Sequence, residues 1–163
     1  MTTSRSVLVF ALLGAALSVQ PSPVVAQEDC SPEAVGAALL DKYVAAVNAH
    51  DTSTFADLHT ETYIQHSGRS PNGLAAQVEN FRAIFARMPD VHARVEDRVI
   101  QGDKVVARMT FSATHTQPMQ GIAPTGRRFE LRTIDIWRVE NGKLAEHWDI
   151  VDVAALLKQL RGD

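Results

Sequence analysis

The amino-acid sequence predicts one α+β domain, in which helices in the N-terminal half pack on an antiparallel sheet formed by the C-terminal half. Apolar residues recur at every third or fourth position up to residue 88 and at every second position from residue 91 onward. Because the helices come first and the strands follow without alternating, a parallel α/β fold does not fit. Residues 27–163 suffice for a single domain with its own hydrophobic core.

The first 26 residues have the pattern of a secretory signal peptide. Arg5 precedes an apolar run at residues 7–19, and the segment ends at Ala26, a small residue that suits cleavage. The run is shorter than the roughly 20 residues that a transmembrane helix needs. We therefore expect cleavage near Ala26, export to the periplasm or the extracellular space, and no membrane association afterwards.

The charge balance argues against nucleic acid as a partner. The chain has 16 Lys and Arg residues against 19 Asp and Glu residues, a formal net charge of −3 at pH 7, whereas nucleic-acid-binding domains are usually basic. The one cysteine, Cys30, cannot form a disulfide within the chain. Stability must come from the core, with a subunit interface as a further contribution.

Four helices are expected. Ser31 is a capping residue and Pro32 suits the first helical position, so the first helix covers residues 32–49. A short helix follows Asp51, and the last helix covers residues 152–160. The third helix ends before Pro89 and has an apolar face of Leu74, Val78, Phe81, Phe85 and Met88.

Four long strands and one short extended segment complete the expected fold. The strands cover residues 91–100, 104–116, 127–139 and 143–151, with tight turns at 101–103 and 140–142. The extended segment is 63–66, and glycine, serine and proline mark loops at 67–73 and 117–126.

Asp135 interrupts an otherwise apolar strand face, where a carboxyl group is costly to ionise. Such a group has a raised pKa and suits general acid or base catalysis. We expect at least one of Asp135 and Asp149 to have a pKa above the usual value of about 3.9. The alternative is that the carboxylates face solvent at a sheet edge or pair with Arg132 or Arg138.

The register of the last hairpin decides whether the ionisable residues meet. With a three-residue loop and a bulge at Gly142, Asp135 lies opposite His147 and shares its face with Asp149. A two-residue turn of Asn141 and Gly142 would shift the register by one residue and separate them.

The other histidines divide into candidates for the pocket and candidates for the surface. His66 either lines the pocket mouth or is a hydrogen-bonded structural residue, and His115 ends an apolar face that points to the pocket. His50, His59 and His92 are expected at the surface. No close-spaced ligand pair supports a metal site, and there is no nucleophile elbow, phosphate loop or dinucleotide fingerprint.

A series of motifs follows in order along residues 35–161. They are Tyr63-Ile64-Gln65-His66, Met88-Pro89-Asp90, Gly102-Asp103-Lys104-Val105-Val106, Thr114-His115, Gly121-Ile122-Ala123-Pro124-Thr125-Gly126-Arg127, Asp135-Ile136-Trp137-Arg138-Val139-Glu140-Asn141-Gly142-Lys143, Glu146-His147-Trp148-Asp149 and Leu156-Leu157-Lys158-Gln159-Leu160. In this order they resemble the SnoaL-like (polyketide cyclase-like) branch of the NTF2-like superfamily.

The resemblance implies a cone, in which helices cover a strongly curved antiparallel sheet that encloses a pocket and usually dimerises through its outer face. Family cyclases are similar in using an inward acidic residue near the end of the last strand as general acid/base in an intramolecular aldol closure, without cofactor or metal. Asp149 matches that residue and Asp135 takes the place of its partner, a histidine in some cyclases. Asp152 is the alternative acid.

The expected function is that of a cofactor-independent acid/base enzyme of the cyclase, isomerase or lyase type, acting on a small carbonyl-containing, largely apolar substrate. Asp149 moves the proton, while Asp135, His66 and Tyr63 donate or orient hydrogen bonds to the developing oxyanion. The expected substrate contacts are Tyr63, His115, His147, Phe81, Met109 and Trp137.

Two other functions fit the same fold. One is a non-catalytic exported module that binds a small hydrophobic ligand, and the other is an interaction module whose cone is filled by side chains. A homodimer is expected through an apolar stripe on the outer sheet face, which consists of Ile134, Ile136, Trp148 and Ile150.

Overall fold

The computed structural model describes residues 31–163, which form four helices and a five-stranded sheet. The helices are α1 (Pro32–Asn48), α2 (Phe55–Leu58), α3 (Leu74–Arg87) and α4 (Val153–Arg161). The strands are β1 (His59–Gln65), β2 (His92–Gln101), β3 (Lys104–Thr114), β4 (Arg128–Glu140) and β5 (Lys143–Val151). The α+β fold is confirmed, and the expected signal peptide lies outside the described residues.

The strand order in the sheet is β1-β5-β4-β3-β2. The four long strands form the expected antiparallel meander, but β1 pairs with β5 in parallel and places Gln65 beside His147. This strand starts at His59, four residues before the extended segment that the sequence predicts. The parallel pairing brings the loop after Gln65 to the edge of the site.

Helix α1 begins where the sequence predicts, because the Ser31 hydroxyl accepts a hydrogen bond from the Ala34 amide at 3.2 Å. Its buried face joins β3 and β4 in the larger of two core clusters, which includes Leu40, Tyr43, Val47, Tyr63, Met109 and Trp137. The second cluster lies under α4 and consists of Val91, Ala113, Phe129, Leu156 and Leu160. Both clusters cover the same side of the sheet, where the site lies.

The turn between β4 and β5 differs from the expected three-residue loop. Asn141 and Gly142 both have positive φ, 49° and 72°, and Glu140 pairs with Lys143 across them. This is a two-residue hairpin turn, so the expected bulge at Gly142 is wrong. Asparagine and glycine suit this turn because they tolerate the left-handed region.

A β-bulge at Ala145 compensates for the shorter turn. Val139 pairs with Leu144, whereas Arg138 pairs with Glu146, so Ala145 is an extra residue without a partner of its own. One extra residue reverses the face of every later side chain in β5.

As a result Asp135 pairs with Asp149, and Trp137 pairs with His147. The expected pairing of Asp135 with His147 is wrong by two residues. Side chains alternate with a period of two, so the expected common face of Asp135, His147 and Asp149 is nevertheless confirmed.

His59 does not lie at the surface as expected. Its side chain is fully buried at the start of β1, between the rings of Phe55 and Tyr63. Within residues 31–163 no helix is long and apolar enough to cross a membrane.

Candidate active site

A cavity of about 560 Å³ lies between one face of the sheet, α3 and the loops at 66–73 and 115–127. Its volume is typical of small-molecule sites, and its presence contradicts a cone filled by side chains. The apolar part of its floor consists of Phe111, Ala113, Phe129 and Leu131. The polar part consists of Gln65, Arg69, Thr133, Asp135, His147 and Asp149.

Asp135 is buried, and both of its carboxylate oxygens accept hydrogen bonds. Oδ1 accepts from Nε2 of His147 at 3.0 Å, and Oδ2 accepts from the hydroxyl of Thr133. The alternative ion pair with Arg138 does not form, because that arginine binds Glu140 and Glu146. Asp135 is therefore a satisfied buried carboxylate on the cavity wall.

His147 is held as one neutral tautomer by its two neighbours. The side-chain amide of Gln65 donates to Nδ1 at 2.9 Å, so Nδ1 carries no proton and Nε2–H donates to Asp135. The ring stacks on Trp137, with centroids 4.8 Å apart and planes 9° from parallel. These contacts fix both the orientation of the imidazole and the position of its proton.

Asp149 also lines the cavity, but its two oxygens differ. Oδ2 forms an ion pair with Nη2 of Arg69, whereas Oδ1 is buried and has no hydrogen-bond partner within residues 31–163. The side chain of Asp149 is only 7% exposed. A buried carboxylate oxygen without a partner costs free energy, so it is the group in the site most in need of a ligand.

The three residues Asp135, His147 and Asp149 each have a potential metal-ligand atom within 4.8 Å of the others. Both nitrogens of His147 and both oxygens of Asp135 are already engaged in hydrogen bonds. For His147 to bind an ion, either its hydrogen bond from Gln65 or its hydrogen bond to Asp135 would have to break. The donor set therefore fits a hydrogen-bonded acid/base site better than a metal centre.

Tyr43 adds a neutral hydroxyl to the cavity wall. Burial raises its pKa well above the usual value, and the nearby charge of Asp135 raises it further. The hydroxyl is therefore a hydrogen-bond donor at any physiological pH.

Of the expected substrate contacts, Phe81 and His147 line the cavity, together with both aspartates. Tyr63, Met109 and Trp137 share the expected face, but they are buried in the larger core cluster and are not part of the cavity lining. His115 is also buried away from it, where its Nδ1 bonds to the hydroxyl of Thr125 at 3.0 Å. These four buried side chains therefore do not contact a ligand in the cavity.

The structure does not bring His66 together with the two aspartates. Its ring stacks on Trp148 at 4.3 Å, and Nε2 lies 2.8 Å from Oε2 of Glu146. Trp148 and Glu146 alternate with His147 along β5, so this cluster lies on the opposite face of the sheet. His66 and then Arg138 hold the pKa of Glu146 below its usual value, which keeps that carboxylate ionised.

Gln65, Arg69 and Gln77 are among the polar cavity residues that sequence reasoning missed. Gln77 could have been found, because it lies three positions after Leu74 and four before Phe81 on the apolar face of α3. Its Oε1 is buried without a partner within the described chain. No local pattern distinguishes Arg69 from a solvent-exposed loop residue.

Comparison with known proteins gives a family. The model of the SnoaL-like polyketide cyclases matches residues 37–160. The nogalonic acid methyl ester cyclase of Streptomyces nogalater is 34% identical over 98 residues, 58% of this chain and 68% of the relative. The aklanonic acid methyl ester cyclase AcmA of Streptomyces galilaeus is 31% identical over 131 residues, 76% of this chain and 88% of the relative.

Solved structures agree with this match. TsrD from Streptomyces laurentii has a TM-score of 0.72 and 33% identity, covering 78% of this chain and 95% of that one. IdmH from Streptomyces antibioticus, a putative polyketide cyclase, has a TM-score of 0.68 and 29% identity, covering 77% and 98%. Several of these relatives are named cyclases, which supports enzymatic activity. The chain belongs to the SnoaL-like polyketide cyclase family.

Proposed function

We propose that this protein is a cofactor-independent acid/base enzyme that moves a proton at a carbon next to a carbonyl group of a small, largely apolar substrate. The observation that carries the proposal is the unpartnered Oδ1 of Asp149, buried in a cavity whose lining is largely apolar. A carboxylate oxygen in such a place gains a partner when it takes up a proton from a bound substrate.

The reaction starts with Asp149 as the base. Its Oδ1 takes the proton as the C–H bond breaks, and the bonding electrons move to the carbonyl oxygen to form an enolate. In a cyclase the enolate carbon then attacks a second carbonyl carbon, whose oxygen receives the proton. In an isomerase the proton returns to a different carbon. The names of the two cyclase relatives favour ring closure.

Asp135 and His147 assist as a fixed pair. Asp135 lies opposite Asp149, and two carboxylates this close repel each other when both are ionised. That repulsion favours proton uptake by Asp149, the step that the mechanism needs. Because Asp135 and Gln65 fix the neutral imidazole of His147, the ring presents an unchanging surface to the substrate.

The test uses 2-tetralone, a small apolar ketone with acidic protons at C1. In D₂O a base catalyst replaces these protons by deuterium, which NMR measures directly without a ring closure. We expect the wild-type protein to accelerate the exchange and Asp149→Asn to lower the rate by about 100-fold or more.

Asp152→Asn is the matched control for this experiment. Asp152 lies outside this cavity, and its carboxylate caps α4 by accepting from the Ala155 amide at 3.0 Å, which asparagine does equally well. We expect its exchange rate to equal that of the wild type. Exchange by Asp149→Asn at the wild-type rate would contradict the acid/base role and leave the ligand-binding module as the function.

We also propose a homodimer through the outer sheet face. Ile134 and Ile150 pair across β4 and β5 and are 46% and 75% exposed, beside the pair of Ile136 and Trp148. A second copy that covers this stripe removes apolar surface from water. Light scattering should give a dimer at micromolar concentration, Ile150→Asp a monomer, and Ala75→Asp, on exposed α3 surface, a dimer. A monomeric wild type would contradict this.

Export is the third part of the proposal and rests on residues 1–26. Mass spectrometry of the protein secreted by its natural producer should give a mature chain that starts at Gln27. An intracellular chain that retains residues 1–26 would contradict export.

A further inference from the structure

Arg69 is the cation closest to the proposed base, and it reaches Asp149 from a loop rather than from the sheet. Its guanidinium pairs with Oδ2 through Nη2, and its side chain is 54% exposed whereas that of Asp149 is 7% exposed. Arginine has five N–H donors. The pairing of Arg69 with Asp149 uses Nη2, and the half-exposed guanidinium carries further N–H groups besides those that face this carboxylate.

The loop that carries Arg69 is tied to the same network as the imidazole. The Ser67 amide donates to Oε1 of Gln65 at 3.3 Å, and the amide nitrogen of that glutamine donates to His147. The Arg69 amide in turn donates to the Ser67 hydroxyl at 3.4 Å. Hydrogen bonds therefore link the backbone of Arg69 to the imidazole of His147.

The two oxygens of Asp149 therefore have different roles. Arg69 holds Oδ2, which leaves Oδ1 for the proton of the substrate. The guanidinium therefore lies beside the carboxylate that removes the proton, where its other N–H groups can donate to the oxygen of a ketone as that oxygen becomes negative. A fixed, positively charged donor at a developing oxyanion is among the strongest contributions to such reactions.

We propose that Arg69 is the oxyanion-binding residue of this site, and that the site selects substrates whose enolate oxygen reaches the loop at 67–73. The proposal rests on the proposed function of Asp149. Of the residues expected to contact the oxyanion, Asp135, His66 and Tyr63, only Asp135 lines the cavity, and both of its oxygens already accept hydrogen bonds. Arg69 takes that role, with its remaining N–H groups as the donors.

Binding of the oxyanion in this way requires the planar guanidinium group of an arginine at position 69. A lysine has the charge but only one nitrogen, so it cannot hold Oδ2 and an enolate oxygen in the same fixed arrangement. Arg69→Lys should therefore lie between the wild type and Arg69→Gln in exchange rate. If Arg69 only stabilised the fold, its replacement would change neither the exchange rate nor the preference of the site between ligands.

Two measurements test Arg69. The first is exchange of 2-tetralone in D₂O, in which the C1 proton passes to Asp149, the electron pair passes to the carbonyl oxygen, and a deuteron from solvent returns to C1. We expect Arg69→Gln to lower kcat by about 100-fold with a smaller change in KM. Arg82→Gln, an exposed arginine of α3 outside the cavity, is the control and should behave as the wild type.

The second measurement needs no catalysis. 2-Naphthol resembles the enolate of 2-tetralone in shape and in the place of its oxygen, whereas naphthalene has no oxygen. The wild type should bind 2-naphthol more tightly than naphthalene, and Arg69→Gln should lose that preference while its affinity for naphthalene is unchanged. Tm values of the variants within a few degrees of the wild type, the range of a small stability change, show that they fold.

The outcomes separate this proposal from the proposed function. If Arg69→Gln keeps the wild-type exchange rate, or keeps the preference for 2-naphthol, Arg69 does not bind the oxyanion even when Asp149→Asn abolishes exchange. If Asp149→Asn exchanges at the wild-type rate, the acid/base function fails, and the binding preference still shows whether Arg69 recognises an acidic oxygen.

Discussion

The carboxyl groups of Asp135 and Asp149 lie opposite each other on β4 and β5, yet they have different partners. Asp135 accepts from His147 and Thr133, which are neutral donors, whereas Asp149 pairs with the charged guanidinium of Arg69. Each carboxylate therefore has its own hydrogen-bonding or ion-pair partners, so the two residues can be mutated separately.

The first prediction follows from these separate contacts. Asn at position 135 can present its oxygen to His147 and its amide nitrogen to the Thr133 hydroxyl, which also accepts hydrogen bonds. Asp135→Asn and Asp149→Asn each remove the repulsion between the carboxylates, so we expect stability at pH 7 to be unchanged or higher, to within about 1 kcal/mol. Thermal unfolding from pH 4 to 8 measures this. A loss of several kcal/mol in both variants would instead identify ionised structural partners.

The second prediction concerns pH and His59. Burial lowers the pKa of His59 to about 4, an effect that its bond to the Phe55 carbonyl opposes and the nearby His147 reinforces. The unfolded chain binds this proton near pH 6.5, so the folded state loses stability as the pH falls from about 6.5 towards 4. The lost free energy of unfolding is about 3 kcal/mol.

Replacing His59 isolates that contribution. The Phe55 carbonyl also accepts from the backbone amide of residue 59, so His59→Phe does not leave it without a partner. Chemical denaturation between pH 4 and 7 should show a flatter profile for His59→Phe than for the wild type, whereas the exposed control His92→Gln should keep the wild-type slope. Equal slopes for all three proteins would show that His59 does not cause the acid sensitivity.

The third prediction concerns Gly36, which is buried where α1 packs on the sheet. A Cβ at this position would lie 2.8 Å from Cγ2 of Val105 and 3.0 Å from Cγ2 of Ile100. Alanine in a helix usually gains about 1 kcal/mol over glycine, but overpacking costs about 1–3 kcal/mol. Because Val105 is buried and β-branched, we expect Gly36→Ala to destabilise the fold in urea titration.

A double-mutant cycle checks the cause. Val105→Ala removes the methyl group that a Cβ at position 36 would meet, so the cost of Gly36→Ala should fall in that background. Ala38→Gly, at an exposed position of α1, measures the helix propensity alone and should cost about 1 kcal/mol. An undiminished cost in the Val105→Ala background would exclude the contact as the cause.

The fourth prediction concerns metal removal. Since both ring nitrogens of His147 and both oxygens of Asp135 are hydrogen-bonded, dialysis against EDTA should leave the exchange rate of 2-tetralone and the Tm unchanged. A rate that falls on dialysis and returns with added zinc would identify Asp135, His147 and Asp149 as ligands instead.

Periodicity alone predicted most of the fold. The apolar spacing of α1 and α3 and the alternation along β3 and β4 identify these elements, because burial on one face imposes the period of the element on the sequence. The boundaries agree to within a few residues. The parallel partner of β5 was not predicted, because β1 is separated from it by one helix and three strands, and no local pattern specifies pairing over that distance.

The site was predicted in part for the same reason. Asp135, His147 and Asp149 stand at alternate positions of long strands, so their common face follows from local alternation even though the predicted register is wrong. His59, His66 and Arg69 depend on how β1 and its loop pack beside β5. Tertiary contacts determine the positions of these three residues, and the local sequence around them does not predict those contacts.

The bulge at Ala145 determines which half of β5 belongs to the interior. If Ala145 were paired regularly instead of bulged, the two-residue turn would place Trp148 and Ile150 in the cavity and would carry His147 and Asp149 to the outer side of the sheet. The unpaired position of Ala145, rather than its chemistry, therefore keeps a proton-transfer group on the inside and an apolar surface on the outside. Pairing the bulged residue without shortening the strand would exchange the inner and outer surfaces of the protein along this strand.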